Sequence, residues 1–308
     1  MTQGLGDSGP PGAEVVTVVT DQGPARVHVS RARTGQPRAR LVVGHGAGGG
    51  VDARDLRALA RSLPAYGIEV VRVEQPWHVA GRRVAGPARR LDEAWLQVLA
   101  ANPTPNGLPL VVGGRSAGAR VAARTASALR ARGALCLAFP AHPPGRPEVS
   151  RADEIVTSGV PVCVVQGERD PFGAAGGLAA ELGLRPEPGG WGRWHAARPC
   201  ASDVWLVGVA GADHQLRAGA RGPLTQQEVD EVVVRATLGW LDDLLGRAAP
   251  PTGEVFPGGG CSSPRRRRGE FDARARTRQA RRSPLLAGLV GGRGRGWTGR
   301  LAGDDPAS

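Results

Sequence analysis

The 308-residue sequence contains no lysine, so all 40 of its basic residues are arginines. Complete use of arginine is typical of GC-rich coding, and we therefore give no weight to the formal charge of +12 as evidence for an acidic partner. The charge is unevenly placed, since residues 250–308 hold twelve arginines against five acidic residues. The rest of the chain is only mildly basic.

Cysteines are also few, at four, and no two of them form a Cys-x-x-Cys pair. This spacing indicates neither a zinc site nor a disulfide framework. Cys136 and Cys163 lie inside apolar runs and are predicted to be small buried hydrophobes. We expect no metal and no organic cofactor.

Long apolar runs are missing as well. None approaches the roughly 18 residues that a membrane-spanning helix needs. The first residues, MTQGLGDSGPPG, lack the apolar segment of a secretory signal. We therefore expect no membrane partner and a cytoplasmic location.

What the sequence does contain is an alternation of strand-like and helix-like segments over residues 13–247. The later strands are apolar throughout, which is typical of strands buried on both faces of a parallel sheet. The pattern predicts an α/β fold with a doubly wound, mostly parallel sheet. Residues 1–12 are predicted to be flexible, and the Arg/Gly/Pro-rich tail at 248–308 to be disordered. Residues 184–202 are predicted to form a long Gly/Pro loop.

A Gly-x-Ser-x-Gly sequence at 114–118 stands between a predicted strand and an alanine-rich helix expected to reach about Arg132. Such a strand-to-helix turn holds a serine hydroxyl at the carboxyl edge of a sheet, which makes Ser116 a candidate nucleophile. The alternative is an ordinary helix-capping serine in a glycine-rich loop. The helix N-terminus stabilises negative charge, so the Ala117 backbone N–H is a candidate oxyanion donor.

A second donor is expected from the run HGAGGG at 45–50, which follows an earlier predicted strand. Small residues leave backbone N–H groups open to a substrate oxygen, and Ala47, or failing it Gly48, is our candidate. The alternative is a phosphate-binding loop, although the run lacks the Gly-Lys-Ser/Thr ending of a P-loop. His45 itself is predicted to be structural.

The candidate acid and base follow later predicted strands. Asp170 lies just beyond one strand, with Glu168 and Asp203 as competitors for the same role. His214 follows the last strand and completes the order Ser, Asp, His, which is the chain order of α/β-hydrolases. Its neighbour Asp213 is not expected to be the acid, because adjacent side chains on a turn usually diverge. As the acid, Asp170 would fix the tautomer of the His214 imidazole.

Together these stretches resemble the α/β-hydrolase superfamily and, more narrowly, the dienelactone-hydrolase-like group, which includes the hydrolase-like domain of a subunit of the non-specific-lethal histone acetyltransferase complex. The matching stretches are HGAGGG at 45–50, GGRSAGAR at 113–120, FPAHPPGRPE at 139–148, QGERDPFG at 166–173 and GADH at 211–214. The resemblance covers about residues 13–247. It implies a nucleophile at Ser116, an acid at Asp170 and a base at His214. Dienelactone hydrolase itself uses a cysteine nucleophile, so lactone specificity does not follow.

Three further residues are candidates for lining a pocket. Trp191 and Trp194 would form a small lid or pocket wall, or else pack as surface hydrophobes. His142 comes just after a strand, at the edge where such sheets bind ligands, or else serves a structural turn. The other histidines, His28, His78 and His195, are predicted to be structural or superficial.

These features favour a serine hydrolase that cleaves an ester or related acyl bond of a small molecule. The alternative is a catalytically silent member of the same fold that serves as a binding or scaffold protein. Nucleic-acid binding is a third hypothesis and concerns only the arginine-rich tail. It is not favoured, because aromatic residues that could stack on bases are nearly absent from the tail: they are Phe256, Phe271 and Trp297. The sequence does not indicate an oligomeric state.

Overall fold

The computed structural model describes residues 14–186, 193–196 and 203–246, with the backbone alone for 186 and for 193–196. All of residues 1–12 and all of the predicted tail at 248–308 fall outside these ranges, so flexibility and disorder there stay predictions.

One sheet runs through the described part of the chain. Its strands are β1 (Glu14–Thr20), β2 (Gly23–Ser30), β3 (Ala39–Gly44), β4 (Ile68–Glu74), β5 (Leu110–Arg115), β6 (Gly133–Leu137), β7 (Val162–Gly167), β8 (Leu184–Pro186), β9 (Arg193–Ala196) and β10 (Val204–Val209). They lie side by side in the order β1-β2-β4-β3-β5-β6-β7-β10-β9-β8. The run from β4 to β10 is parallel, and an antiparallel strand pair extends it at each edge. The sheet is therefore mostly parallel, as predicted.

Helices cover both faces of this sheet. They are α1 (Arg54–Ser62), α2 (Pro76–Val79), α3 (Ala88–Ala101), α4 (Ala117–Thr125), α5 (Asp153–Val156), α6 (Ala175–Glu181) and α7 (Gln226–Leu245). Residues of α3, α4, α5 and α6 pack in one hydrophobic cluster, and residues of α1 and α7 pack in a second. The prediction of a doubly wound α/β fold is confirmed.

Neighbouring residues of one strand belong to different clusters, which explains the uninterrupted apolar runs. In β3, Val42 packs with α3 and α4, while Leu41 and Val43 pack with α1. Cys136 and Cys163 are buried in the same way, one in each cluster. Their prediction as small buried hydrophobes is confirmed.

Two predicted boundaries were wrong. Helix α4 ends at Thr125 rather than near Arg132, because the chain turns there to enter β6, with Arg130 at a φ of 52° and the Ala131 N–H bonded to the Ala126 carbonyl at 3.0 Å. The segment at 184–202 also contains strands, β8 and β9, which pair antiparallel and extend the sheet beyond β10. Strands of three and four residues are too short to give a clear alternation in sequence.

Candidate active site

Ser116 lies at the sharp turn between β5 and α4. Its φ of 52° and ψ of −112° are strained for a residue with a side chain. The turn is possible because glycines stand on either side: a Cβ at Gly114 would lie 2.7 Å from the Gly44 oxygen, and one at Gly118 only 2.4 Å from it. The close approach of β3, β5 and α4 therefore fixes the serine at the carboxyl edge of the sheet.

His214 reaches Ser116 from the loop that follows β10. Its Nε2 lies 3.0 Å from Ser116 Oγ, and its Nδ1 lies 2.8 Å from Asp170 Oδ2. In the neutral ring, this network assigns the proton to Nδ1, which donates to the carboxylate, and leaves Nε2 to accept from the hydroxyl. The structure thus brings all three predicted side chains together, although they are far apart in sequence.

Asp170 is buried and fully bonded in the turn after β7. Its Oδ1 accepts from the Phe172 N–H at 2.8 Å, and its Oδ2 accepts from Gln166 Nε2 at 3.0 Å. Gln166 is itself completely buried and also exchanges hydrogen bonds with both backbone groups of Phe139. A strand residue therefore holds the carboxylate oxygen that faces His214.

The competing acids lie elsewhere. Glu168 accepts from the Gly211 N–H at 3.2 Å. Asp213 accepts from the backbone N–H groups of Gln215 and Arg217 at 2.8 and 3.0 Å, so it stabilises the histidine loop. Asp203 precedes β10, at the opposite end of that strand from His214. Among these carboxylates, Asp170 is the one that contacts the imidazole.

The loop after β3 lies directly against the serine. A Cβ at Gly46 would approach Ser116 Cβ to 3.1 Å, and the next residues, Ala47 and Gly48, are exposed. No described residue accepts a hydrogen bond from the Ala47 N–H. On the other side of the serine, Ala117 begins α4, and the first N–H groups of a helix have no carbonyl one turn earlier. Backbone donors on two elements are therefore open near Ser116.

His45 is buried beneath this loop and has a structural role, as predicted. Its Nδ1 donates to the Gly46 carbonyl at 2.9 Å, and its Nε2 accepts from the Gln75 N–H at 3.1 Å. Burial lowers the pKa of His45 to about 4. The neutral ring therefore joins the loop to the end of β4.

The predicted pocket residues fare differently. His142 is occupied by other contacts, with Nδ1 3.2 Å from the Val149 carbonyl and Nε2 3.0 Å from Glu181 Oε1, which fits the structural alternative. Trp191 lies outside the described residues. Trp194 belongs to β9, but its side chain lies outside the described part of the chain.

Three residues in contact with the predicted set were missed from sequence. The Phe172 ring meets the His214 imidazole edge-on at 4.6 Å, and Gln166 bonds Asp170. Arg115, next to the serine, is buried and donates to the His214 carbonyl at 2.8 Å. The position of Arg115 between Gly114 and Ser116 was the one available signal, since an arginine inside such a crowded turn needs a specific partner.

A cavity of about 630 Å³ opens beside the β1–β2 turn and the start of α3. Trp77 and Leu91 line it, and the centroid of the Trp77 ring lies 5.2 Å from that of the His45 ring. Ser116, Asp170 and His214 do not line this cavity. Within the described residues, no helix combines the length and the apolarity needed to cross a bilayer.

A family model for the alpha/beta hydrolase domain matches residues 37–242. Solved structures with a similar fold include a serine hydrolase without a lid from Xanthomonas campestris, at 19% identity and a TM-score of 0.53 over 75% of this chain and 96% of that chain. Est1E from Butyrivibrio proteoclasticus is 14% identical, with a TM-score of 0.54 over 74% of this chain and 98% of that chain. Thermogutta terrifontis esterase 2 phosphorylated by paraoxon is 16% identical, with a TM-score of 0.54 over 78% of this chain and 96% of that chain. No curated protein matches the chain in sequence. Similarity at these identities shows the fold alone, but the family model covers more than half of the sequence, so the chain belongs to the alpha/beta hydrolase domain family.

Proposed function

We propose that the protein is a serine hydrolase that cleaves an ester or related acyl bond of a small molecule, with Ser116 as nucleophile, His214 as base and Asp170 as acid. The observation that carries this proposal is the continuous hydrogen-bonded series from the serine hydroxyl through the imidazole to the carboxylate, at 3.0 and 2.8 Å. Hydrogen-bond contact between nucleophile, base and orienting group is the geometry that activates a serine.

In the proposed reaction, His214 Nε2 takes the proton from Ser116 Oγ as that oxygen attacks the carbonyl carbon. Asp170 keeps the proton on Nδ1 and stabilises the imidazolium that forms. The tetrahedral intermediate then collapses, the bond to the alcohol breaks, and the alcohol leaves with the proton from Nε2. Water attacks the acyl-enzyme through the same sequence of proton transfers and releases the acid.

The N–H groups of Ala117 and Ala47 are the proposed donors to the oxyanion. The position of Ala117 at the helix start and the contact of Gly46 with Ser116 support this assignment. Charge develops on the substrate oxygen only as the bond forms, so donors at fixed positions stabilise the transition state more than the ester. Loss of one such donor costs about 3 kcal/mol of that stabilisation.

The proposed substrate is an ester or a related acyl compound. The words esterase and serine hydrolase in the names of the structural neighbours support it. The stretches FPAHPPGRPE and QGERDPFG support a place in the dienelactone-hydrolase-like group, with similarity to the domain of the non-specific-lethal complex subunit. Residue 116 is a serine instead of the cysteine of dienelactone hydrolase itself, so lactone specificity does not follow from this similarity.

The catalytic domain is proposed to span residues 13–247 and to act in the cytoplasm without a cofactor. In this view, neither the first twelve residues nor the tail contributes to hydrolysis. A chain truncated after Gly246 would keep the esterase activity of the full chain. A loss of activity in a truncated chain that folds normally would assign the tail a part in the reaction.

The test is covalent labelling by a fluorophosphonate, together with hydrolysis of p-nitrophenyl esters of graded acyl length. The Ser116 oxygen should displace fluoride from phosphorus, and Ser116→Ala should lose both labelling and hydrolysis. Ser150→Ala, which removes a hydroxyl bonded to Glu181 instead, should keep both. Folded wild-type protein that neither labels nor hydrolyses any ester would contradict the proposal and favour the silent scaffold.

A further inference from the structure

Arg115 occupies an unusual place for an arginine, since it is the residue just before Ser116 and its side chain is only 8% exposed. Its Nε donates to Asp55 Oδ2 at 3.0 Å, and its Nη2 donates to the backbone carbonyl of His214 at 2.8 Å. One guanidinium therefore joins the first turn of α1 to the loop that carries the imidazole.

The same guanidinium also lies beneath the loop after β3. A Cβ at Gly46 would come within 3.3 Å of Arg115 Nη1. Arg115 therefore contacts the loop of the base and the loop of the proposed oxyanion donor. Its backbone is joined by a peptide bond to Ser116, so one residue connects all three parts of the site. A planar fork with several donors can do this, whereas a lysine offers one charged point.

Asp55 fixes the orientation of the fork. It is 2% exposed, and its Oδ1 also accepts from the Leu56 N–H at 2.9 Å. Burial raises the pKa of Asp55, and the charge of Arg115 opposes that shift. A buried ion pair of this kind is weak evidence for stability, since apolar residues of similar size often replace one without loss. Its location beneath the loops of His214 and of Gly46 points to another role.

We propose that Arg115, oriented by Asp55, is a positioning residue that holds the backbone of His214 so that its imidazole stays within hydrogen-bond distance of Ser116. The inference rests on the proposed function for its catalytic consequence. The claim about the loop itself, that Arg115 restrains residues 211–217, does not depend on that function.

The opposite end of the sheet offers a matched control. Arg40 donates to Glu69 at 2.6 Å and to the Pro103 carbonyl at 2.9 Å, with the two side chains 7% and 8% exposed. It has the same chemistry and nearly the same burial as the Arg115 pair, but it lies at the start of β3, away from the serine. Any effect of general destabilisation should therefore appear in both pairs.

The test compares two double variants, Asp55→Asn with Arg115→Met and Glu69→Gln with Arg40→Met. Each removes both charges at once, so that neither leaves a single ion buried. The first should lower kcat by about 100-fold, because small misplacement of a catalytic group costs that much, while KM changes by less than about threefold. The second should leave both constants near the wild-type values. Arg115→Lys should also lower kcat, because one ammonium nitrogen cannot occupy the separate positions from which Nε and Nη2 donate to Asp55 and to the His214 carbonyl.

The pH profile separates positioning from simple loss of structure. The charged or titratable side chains on the elements around His214 include His45, Asp55, Arg115, Glu168, Arg169, Asp170, Asp213 and Arg217. Asp55→Asn alone leaves Arg115 without its counter-charge, so protonation of the nearby imidazole becomes less favourable. The acid limb of kcat/KM should therefore move to lower pH and return in the double variant.

Amide hydrogen exchange of residues 211–217 is the measurement that does not require activity. Exchange should be faster in the Asp55→Asn, Arg115→Met protein and unchanged in the Arg40, Glu69 control. Folded protein with wild-type exchange and wild-type kcat would overturn the proposal. If the wild type hydrolyses nothing but exchange still rises, the proposed function fails and the restraint on the loop stands.

Discussion

The two ends of the parallel strands differ in how much strain they contain. Within the described residues, four non-glycine residues have a positive φ, and Ser116, Ala138 and Leu216 among them lie at or beyond carboxyl ends of strands. The fourth, Arg130, belongs to the turn before β6. Each such residue costs of order 1–3 kcal/mol and persists only where its surroundings enforce it. Strain is therefore concentrated at the edge that holds the candidate active site.

The ends also differ in what their buried polar groups do. At the carboxyl ends, Gln166 and Arg115 donate to Asp170 and to the His214 carbonyl, which are parts of the site. At the amino ends, Arg40 bonds Glu69, and Gly133 packs against the Trp240 ring. Changes at the first end should alter chemistry, stability or both, and changes at the second should alter stability alone. The predictions below ask whether that division holds.

The largest effect is expected from Asp170→Asn. With its oxygen on the Phe172 N–H, the new amide would turn its NH2 group toward His214 Nδ1 and donate to it. His214 would then adopt the wrong tautomer, and kcat should fall by about 10⁴-fold. The measurement is steady-state hydrolysis of a p-nitrophenyl ester, with thermal unfolding to check the fold. Glu168→Gln should stay within a few-fold of the wild type. Equal losses in both variants would show that a general loss of loop structure, rather than the tautomer, is responsible.

Glycine substitutions at the two ends should differ in free energy of unfolding. A Cβ at Gly118 would meet the Gly44 carbonyl at 2.4 Å, and backbone cannot move aside easily, so Gly118→Ala should cost at least about 4 kcal/mol. A Cβ at Gly133 would meet side-chain atoms of Trp240 and Leu244 at 2.7–2.9 Å. Those atoms can shift, so Gly133→Ala should cost about 1–3 kcal/mol. Urea unfolding of both variants tests the difference, and a reversed order would contradict it.

Acid should destabilise the protein through His45. Its pKa is lowered from 6.5 to about 4 by burial, so the unfolded chain binds a proton that the folded chain does not between these values. Stability should therefore fall as the pH drops from 6.5 towards 4, by up to about 3 kcal/mol. His45→Gln, which can still donate to Gly46 and accept from Gln75, should flatten this dependence in urea unfolding at pH 7, 5.5 and 4. Ser116→Ala, which removes no group that titrates in this range, should keep it.

The smallest effects are expected from glycine substitutions at two alanines, one inside β6 and one just after its last residue. Ala138 has a φ of 46°, which glycine adopts freely, so Ala138→Gly should change stability by less than about 1 kcal/mol or raise it. Ala134 lies inside the same strand with ordinary backbone angles. Ala134→Gly should therefore lose at least about 1 kcal/mol. Equal losses at both positions would mean that Ala138 is not strained.

The sequence allowed a prediction of the parallel core and of the residues that the site brings together. Apolar runs marked the strands, and Ser116, Asp170 and His214 were found because each follows one of them. Parallel strands end at one edge, so a pattern along the chain became proximity in space. The competitor Glu168 lies two residues before Asp170 in the same turn after β7, so only the geometry of that turn separates the two. Asp203 lies before β10, at the opposite end of that strand from His214.

What the sequence did not reveal was the end of α4 and the partners that hold the predicted site residues in place. The end of α4 depends on Arg130 at a positive φ, which an alanine-rich stretch does not indicate. The partners Arg115 and Asp55 are sixty positions apart, and neither has a neighbour in sequence that reveals the pairing. Phe172 appeared as a turn residue, and its contact with the His214 ring depends on how two loops meet.

The hydrogen bonds of Gln166 have a consequence for how such a protein can diversify. The Gln166 amide that bonds Asp170 belongs to a strand of the sheet. Its other hydrogen bonds are to backbone groups of Phe139 and Gly173, so they do not depend on which side chains those positions carry. Side-chain substitutions in the loops around Phe139 and Gly173 can therefore accumulate without breaking these hydrogen bonds to the backbone. New substrate preferences could evolve, or be engineered, by changing loop side chains on an unchanged sheet.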